Sequence, residues 1–139
     1  MVRAAIDCGD ADCGLNRMRE VMRYYPIELN LHGRSVLVVG SNPVAEEKAL
    51  HLISAGAHVR LVSPTLTARL SELVNQSVVE YRCGTFIEND LLGIELVISA
   101  TNEPRLNENV ARAAAWRRIL CNVVDQPALC NFMPPAHRN

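Results

Sequence analysis

The stretch Val36-Leu-Val-Val-Gly-Ser-Asn-Pro-Val-Ala-Glu-Glu-Lys48 decides the fold. With Ser35 before it, Val36–Val39 is apolar and rich in β-branched residues without alternation, the pattern of a strand buried on both faces. Gly40 follows, and then Pro43, which suits the first turn of a helix because its missing N–H has no helical partner there. Strand, glycine turn and helix in that order can cradle a dinucleotide pyrophosphate, usually with the spacing G-x-G-x-x-G/A. Here the run is Gly40-Ser41-Asn42-Pro43-Val44-Ala45. Gly40 supplies the tight turn, and Ala45 is small enough for close helix–strand packing. Asn42 replaces the middle glycine and puts a side chain where the pyrophosphate would approach the backbone. Pro43 removes one N–H donor. Taken alone, the turn reads either as a dinucleotide site or as a purely structural strand–turn–helix.

Working outward, the helix predicted from Pro43 passes through Ala45, Ala49, Leu50, Leu52 and Ile53 to Ala55, where Gly56 stops it. His58–Val62 reads as a second strand. Ser63-Pro64-Thr65 then turns into a helix carrying Leu66, Leu70, Leu73 and Val74. Val78–Arg82 and Leu96–Ser99 read as further strands, Leu106–Arg117 as an alanine-rich helix, and Ile119–Val124 as a fifth strand. Strands alternating with helices at this spacing imply parallel β-α-β units. The expected fold is α/β, a Rossmann-like open parallel sheet with helices on both faces.

Composition agrees with one domain. The chain has 139 residues, 49% hydrophobic and 21% charged, which is globular rather than disordered. Aromatic content is 4%, so aliphatic residues and alanine must fill the core. A net charge of −1 argues against nucleic acid or an anionic membrane surface as partner. No apolar run approaches the roughly 18–20 residues that span a bilayer. The first residues lack the apolar centre of a secretory signal, and Asp7, Asp10 and Asp12 interrupt them. The five cysteines are therefore expected as thiols in a cytoplasmic protein. Cys8 and Cys13 have no histidine or further cysteine nearby to complete a metal site. Residues 1–21 are expected to form a flexible extension, with the globular pattern beginning at Met22.

In an open α/β sheet, ligands bind where the C-terminal strand ends open into loops. Those ends are Gly40–Val44, Ser63–Thr65, Ala100-Thr101-Asn102-Glu103 and Asn122-Val-Val-Asp125. An NAD unit usually carries an acid after its second strand, where this chain has Ser63, Pro64 and Thr65. Their hydroxyls suit ribose, although Thr65 also reads as a helix cap. Asp125 follows an apolar strand and reads either as an acid–base group or as a turn aspartate bonded to its own backbone. Cys121 and Cys130 read as small buried hydrophobes. His32, His51, His58 and His137 show no metal spacing, and no metal ligand is assigned.

Several stretches together resemble one family. They are Met22-Arg-Tyr-Tyr-Pro-Ile27, Gly33–Gly40, Val44-Ala-Glu-Glu-Lys48, Ala55-Gly-Ala57, Val62-Ser-Pro64, Ser99-Ala-Thr-Asn102, Leu106-Asn107, Cys121–Asp125 and Phe132-Met-Pro134. The set resembles NAD-dependent precorrin-2 dehydrogenase, which is also the N-terminal module of siroheme synthase. The resemblance implies NAD as cofactor and oxidation of the tetrapyrrole precorrin-2 to sirohydrochlorin, with ferrous iron as a further substrate in some members. It also implies Asp125 as the catalytic residue, and Pro43, Val44, Pro64 and Thr65 as NAD contacts. Gly40, Asn42, Ser63, Thr101 and Asn102 join them as cofactor-binding candidates from the strand-end pattern. Family members are homodimers and continue beyond the Phe132–Pro134 region into a dimerisation and substrate segment. Residues 22–139 are therefore expected to be the NAD-binding domain without that segment. A competing reading is a non-catalytic nucleotide- or partner-binding module. A regulatory domain of the potassium-transport type would be expected to carry a fuller glycine motif and an acid after the second strand.

Overall fold

A computed structural model describes residues 25–133. The extension expected over residues 1–21, with Cys8 and Cys13, lies outside the described residues, as do His137 and the rest of residues 134–139. The elements in chain order are β1 (Ser35–Val39), α1 (Pro43–Ser54), β2 (His58–Ser63), α2 (Ala68–Asn75), β3 (Val79–Cys83), β4 (Leu96–Ser99), α3 (Pro104–Trp116) and β5 (Leu120–Val123). Every strand pairing is parallel, and the strand order is β3-β2-β1-β4-β5. The chain winds outward from β1 in both directions, so the loops after β1 and β4 part at a topological switch point. The expected Rossmann-like sheet is present.

β1 lies at the centre because its residues can be buried on both sides. Val36 and Val38 pack with Ala45, Ala49 and Leu52 of α1 and with Leu70 of α2. Leu37 and Val39 point the other way, into a cluster with Val110, Ala111, Ala113 and Ala114 of α3. All four strand residues are at most 2% exposed, and each such burial contributes roughly 1.5–3 kcal/mol. Alanines on the inner faces of α1 and α3 let both helices approach the sheet, which compensates for the scarcity of aromatic side chains.

The β3–β4 connection is built differently from the others. It holds only a short 3-10 turn, Glu88–Leu91, and an ion pair fixes it. Asp90, 5% exposed, accepts from Arg82 Nε at 2.6 Å and Nη2 at 2.7 Å and from the Ile87 N–H at 2.8 Å. At the other side of the sheet, the segment after β5 folds back along that strand. Asn131 accepts the Cys121 N–H through Oδ1 at 2.8 Å and donates through Nδ2 to the Ile119 carbonyl at 3.3 Å. Its side chain thus stands in for a neighbouring strand. Among the described residues, no helix is long and apolar enough to cross a membrane.

Candidate functional site

The turn after β1 shows why its glycine is needed. Gly40 has φ +119°, and a Cβ there would lie 2.5 Å from the Ala100 carbonyl oxygen. The glycine is therefore demanded by the close passage of this turn across the end of β4. Asn42 caps α1: its Oδ1 accepts the Ala45 N–H at 2.8 Å, and its Nδ2 donates to the Ala100 carbonyl at 2.7 Å. An amide suits this place because it offers an acceptor to the helix and a donor to β4 at once. Its side chain is turned into the protein, away from the path of a pyrophosphate that the sequence pattern suggested. Pro43 has no N–H, the Ala45 N–H is capped, and the Glu46 N–H bonds to the Asn42 carbonyl. That leaves the Val44 N–H as the open donor of the first turn, on a half-exposed residue.

The turn after β2 corrects one expectation. Thr65 is not the cap of the second helix; Thr67 is, accepting the Leu70 N–H at 3.1 Å. The Thr67 hydroxyl also donates to Glu46 at 3.0 Å and so ties α2 to α1. α2 begins two residues later than the hydroxyl pattern suggests, and this releases Thr65. Its exposed Oγ1 lies 3.2 Å from Ser41 Oγ, so two hydroxyls stand side by side between the first and second turns. Ser63, by contrast, is 3% exposed, with its Oγ accepting the Thr65 N–H at 3.4 Å. Pro64 and Thr65 are open to a ligand and Ser63 is not.

Beyond β4, Asn102 is exposed, whereas Thr101 is half-buried. Thr101 Oγ1 donates to Asn107 Oδ1 at 2.7 Å. Beyond β5, a bond of 3.2 Å from the Gln126 N–H to the Val123 carbonyl closes a tight turn with Asp125 at φ +68°. This left-handed backbone is unusual for a residue other than glycine. Among the described residues, the Asp125 carboxylate makes no hydrogen bond or ion pair, so the self-bonded turn aspartate is not what forms. Asp125 instead lines a cleft of about 240 Å³ with Val44 and Lys48 of α1, Asn122, Pro127 and Met133. The Asn122 side chain is 4% exposed and donates to the Phe132 carbonyl at 3.0 Å, which holds the far wall. Cys130 joins that wall, its sulfur accepting the Val123 N–H at 3.1 Å. Cys121 is buried, and burial pushes its thiol up to about 12, with Cys130 adding to the shift. A larger cleft of about 480 Å³ opens between α3 and the 3-10 turn, lined by Phe86, Ile87, Arg112 and Trp116. Its carboxylate, Glu88, is paired with Arg117 at 3.8 Å, and no strand end opens into it. No group of three or more metal-ligating residues occurs among the described residues.

Residues 27–136 match the family described as "Putative NAD(P)-binding". The chain belongs to this family. It is 42% identical over 116 residues to siroheme synthase of Nitrosomonas eutropha, a match covering 83% of this chain and 24% of the relative. Siroheme synthase of Pseudomonas fluorescens is 44% identical over 115 residues, with coverages of 83% and 25%. The chain therefore spans about a quarter of the length of the curated relatives it matches. Among solved structures, SirC, a precorrin-2 dehydrogenase, is similar with a TM-score of 0.57 and 32% identity, over 60% of this chain and 42% of that one. The apo-structure of D-lactate dehydrogenase from Escherichia coli has a TM-score of 0.54 at 15% identity, over 85% of this chain and 38% of that one, and shares the fold. The family match gives a nicotinamide dinucleotide, NAD(P), as the cofactor class of this domain.

Two polar residues at the site were not among the candidate site residues read from the sequence. Asn107 and Gln126 bond to each other and tie α3 to the Asp125 turn. The available signal is spacing: Asn107 falls on the stripe of Val110, Ala111 and Ala114, and is 3% exposed. A polar side chain on a buried helix face must find partners.

Proposed function

We propose that this chain is an NAD-dependent dehydrogenase module that oxidises precorrin-2 to sirohydrochlorin. The observation that carries the proposal is the free Asp125 carboxylate in the cleft beside the start of α1. The family membership and the names of its relatives supply the substrate class. The strand ends fit a dinucleotide. The α1 N-terminus offers the Val44 N–H and the positive end of a twelve-residue helix to the pyrophosphate. Thr65 and Ser41 offer hydroxyls toward a ribose, which explains how a site can lack the usual acid. Thr101 and Asn102 border the path toward Asp125. Pro43 and Gly40 shape the turn, while Asn42 holds it closed from within and acts on the cofactor only through that turn.

Held at the strand ends by Val44, Thr65 and Ser41, NAD⁺ would supply the acceptor for the hydride lost from the substrate carbon. Asp125 accepts the accompanying proton, so a hydride and a proton, two electrons and two protons in all, leave precorrin-2. Val44 and Met133 give the cleft wall apolar surface near the carboxylate. The same carboxylate can take up pyrrole protons if ferrous iron is inserted afterward, with iron as substrate. Free Cys83, Cys121 and Cys130 support a reducing, cytoplasmic setting. Calorimetric titration with NAD⁺, followed by absorbance assay of precorrin-2 oxidation, tests the reading. Asp125→Asn should bind NAD⁺ like the parent and lose oxidation. A variant that turns over precorrin-2 at the parent rate removes Asp125 from the mechanism. NAD⁺ binding without any turnover by the parent chain favours a non-catalytic module.

A further inference from the structure

Asn107 sits in the first turns of α3, and all four hydrogen-bonding positions of its side chain are used. Oδ1 accepts from Ser99 Oγ and Thr101 Oγ1, each at 2.7 Å. Nδ2 donates to the Thr101 carbonyl at 3.2 Å and to Gln126 Oε1 at 2.8 Å. The amide orientation is fixed chemically, because the Thr101 carbonyl can only accept. One buried side chain thereby joins the end of β4, the loop after it and the residue that follows Asp125. Ser99 is fully buried, so the anchor itself belongs to the sheet. The outer link runs through Gln126, which is half-buried. Asp125 has no partner of its own among the described residues and a left-handed backbone, so its placement depends on its neighbours. Gln126 is the adjoining residue whose side chain reaches the buried network.

We propose that Asn107, acting through Gln126, is a positioning residue that sets the Asp125 turn in register with the Thr101 cofactor loop. The inference rests on the dehydrogenase reading above, and its test separates the two. Gln126→Met removes the outer link and leaves the Ser99–Thr101–Asn107 anchor in place. A misplacement of about 1 Å at a reacting group lowers turnover by as much as roughly a hundredfold. Gln126→Met should therefore lower kcat for precorrin-2 roughly tenfold to a hundredfold, with NAD⁺ affinity unchanged within about twofold. Asn107→Leu should lower kcat as far or further, but it also removes the anchor and can impair folding. The double variant should lose no more turnover than Asn107→Leu alone, because both changes break one link.

Amide hydrogen exchange supplies a readout independent of turnover. NAD⁺ at the Thr101 loop should slow exchange across residues 123–129 in the parent, and Gln126→Met should abolish that response. Parent-level kcat in Gln126→Met overturns the proposal. So does a parent turn that does not respond to NAD⁺, or a response that survives the substitution. If the parent binds NAD⁺ and shows the exchange response but never oxidises precorrin-2, the dehydrogenase reading fails while the link stands as a coupling between cofactor loop and turn.

Discussion

Replacing Asn42 separates a residue that obstructs the cofactor from one that holds its turn. The Oδ1 bond to the Ala45 N–H is a helix cap, worth about 1 kcal/mol against alanine and only a few tenths against glycine. The Nδ2 bond to the Ala100 carbonyl contributes about 1 kcal/mol more. Asn42→Ala should therefore cost about 2 kcal/mol, and Asn42→Gly a little over 1 kcal/mol. For a domain of this size those losses lower Tm by roughly 7 and 4 °C. Asn42→Asp keeps the cap and gains from the helix dipole, but it presents an acceptor to the Ala100 carbonyl. Its loss should be smaller, on the order of 0.5 kcal/mol. NAD⁺ affinity orders the same variants differently. Alanine and glycine remove only a side chain that faces inward, so calorimetry should give Kd values within about twofold of the parent. Aspartate adds a negative charge beside the pyrophosphate and should weaken binding about tenfold or more. Thermal melts and titrations of the three variants complete the test. If Asn42→Gly tightens NAD⁺ tenfold and leaves Tm unchanged, the side chain stands in the phosphate site and the inward geometry is refuted.

Asp125→Gly should abolish precorrin-2 oxidation yet leave Tm within about 3 °C, because relief of roughly 1 kcal/mol of left-handed strain offsets the added freedom of the unfolded chain. A large fall in Tm would reveal a structural partner for the carboxylate. Burial raises the Cys121 thiol to about 12, so the folded chain keeps a proton that the unfolded chain loses above about pH 9. Below that pH the group does not alter stability, and stability should fall as pH rises from about 9 toward about 12. Tyr81 is also raised by desolvation and titrates in parent and variant alike, so a shallower fall in Cys121→Ala isolates the thiol. Equal slopes in the two proteins would refute the assignment.

The fold was legible because its strongest signals are local. A continuous apolar run at Val36–Val39 requires cover on both faces, and parallel β-α-β units provide it. The stop at Gly56 and the proline start at Pro43 appear where the backbone rules place them, whereas α3 begins at Pro104, two residues before the expected Leu106. The β3–β4 connection was less readable. Residues 84–95 carry no helical period because the Asp90–Arg82 pair, rather than a packed helix, shapes them. The start of α2 was misplaced because Ser63, Thr65 and Thr67 all have capping chemistry. Only the folded chain shows that Thr67 also meets Glu46 of α1.

At the site, residue type indicated which side chains had suitable chemistry, but direction decides which are available. Ser63 and Thr65 are both hydroxyls at one strand end, yet Ser63 is buried in its own turn and Thr65 faces Ser41. Asn42 is the sharper case. Read as a departure from glycine spacing, it belongs to the cofactor and hinders it. In the folded chain its amide closes two bonds that the protein needs, and a glycine is required at Gly40 by its close passage to the Ala100 carbonyl. The two residues act together: Gly40 lets the turn pass over the end of β4, and Asn42 ties it down there. A cofactor across these strand ends thus meets a turn already fixed against β4, whose loop bonds through Thr101 to Asn107 and on to the turn that carries Asp125. The rigidity of the first turn and the placement of the acid are two ends of one hydrogen-bonded path across the top of the sheet.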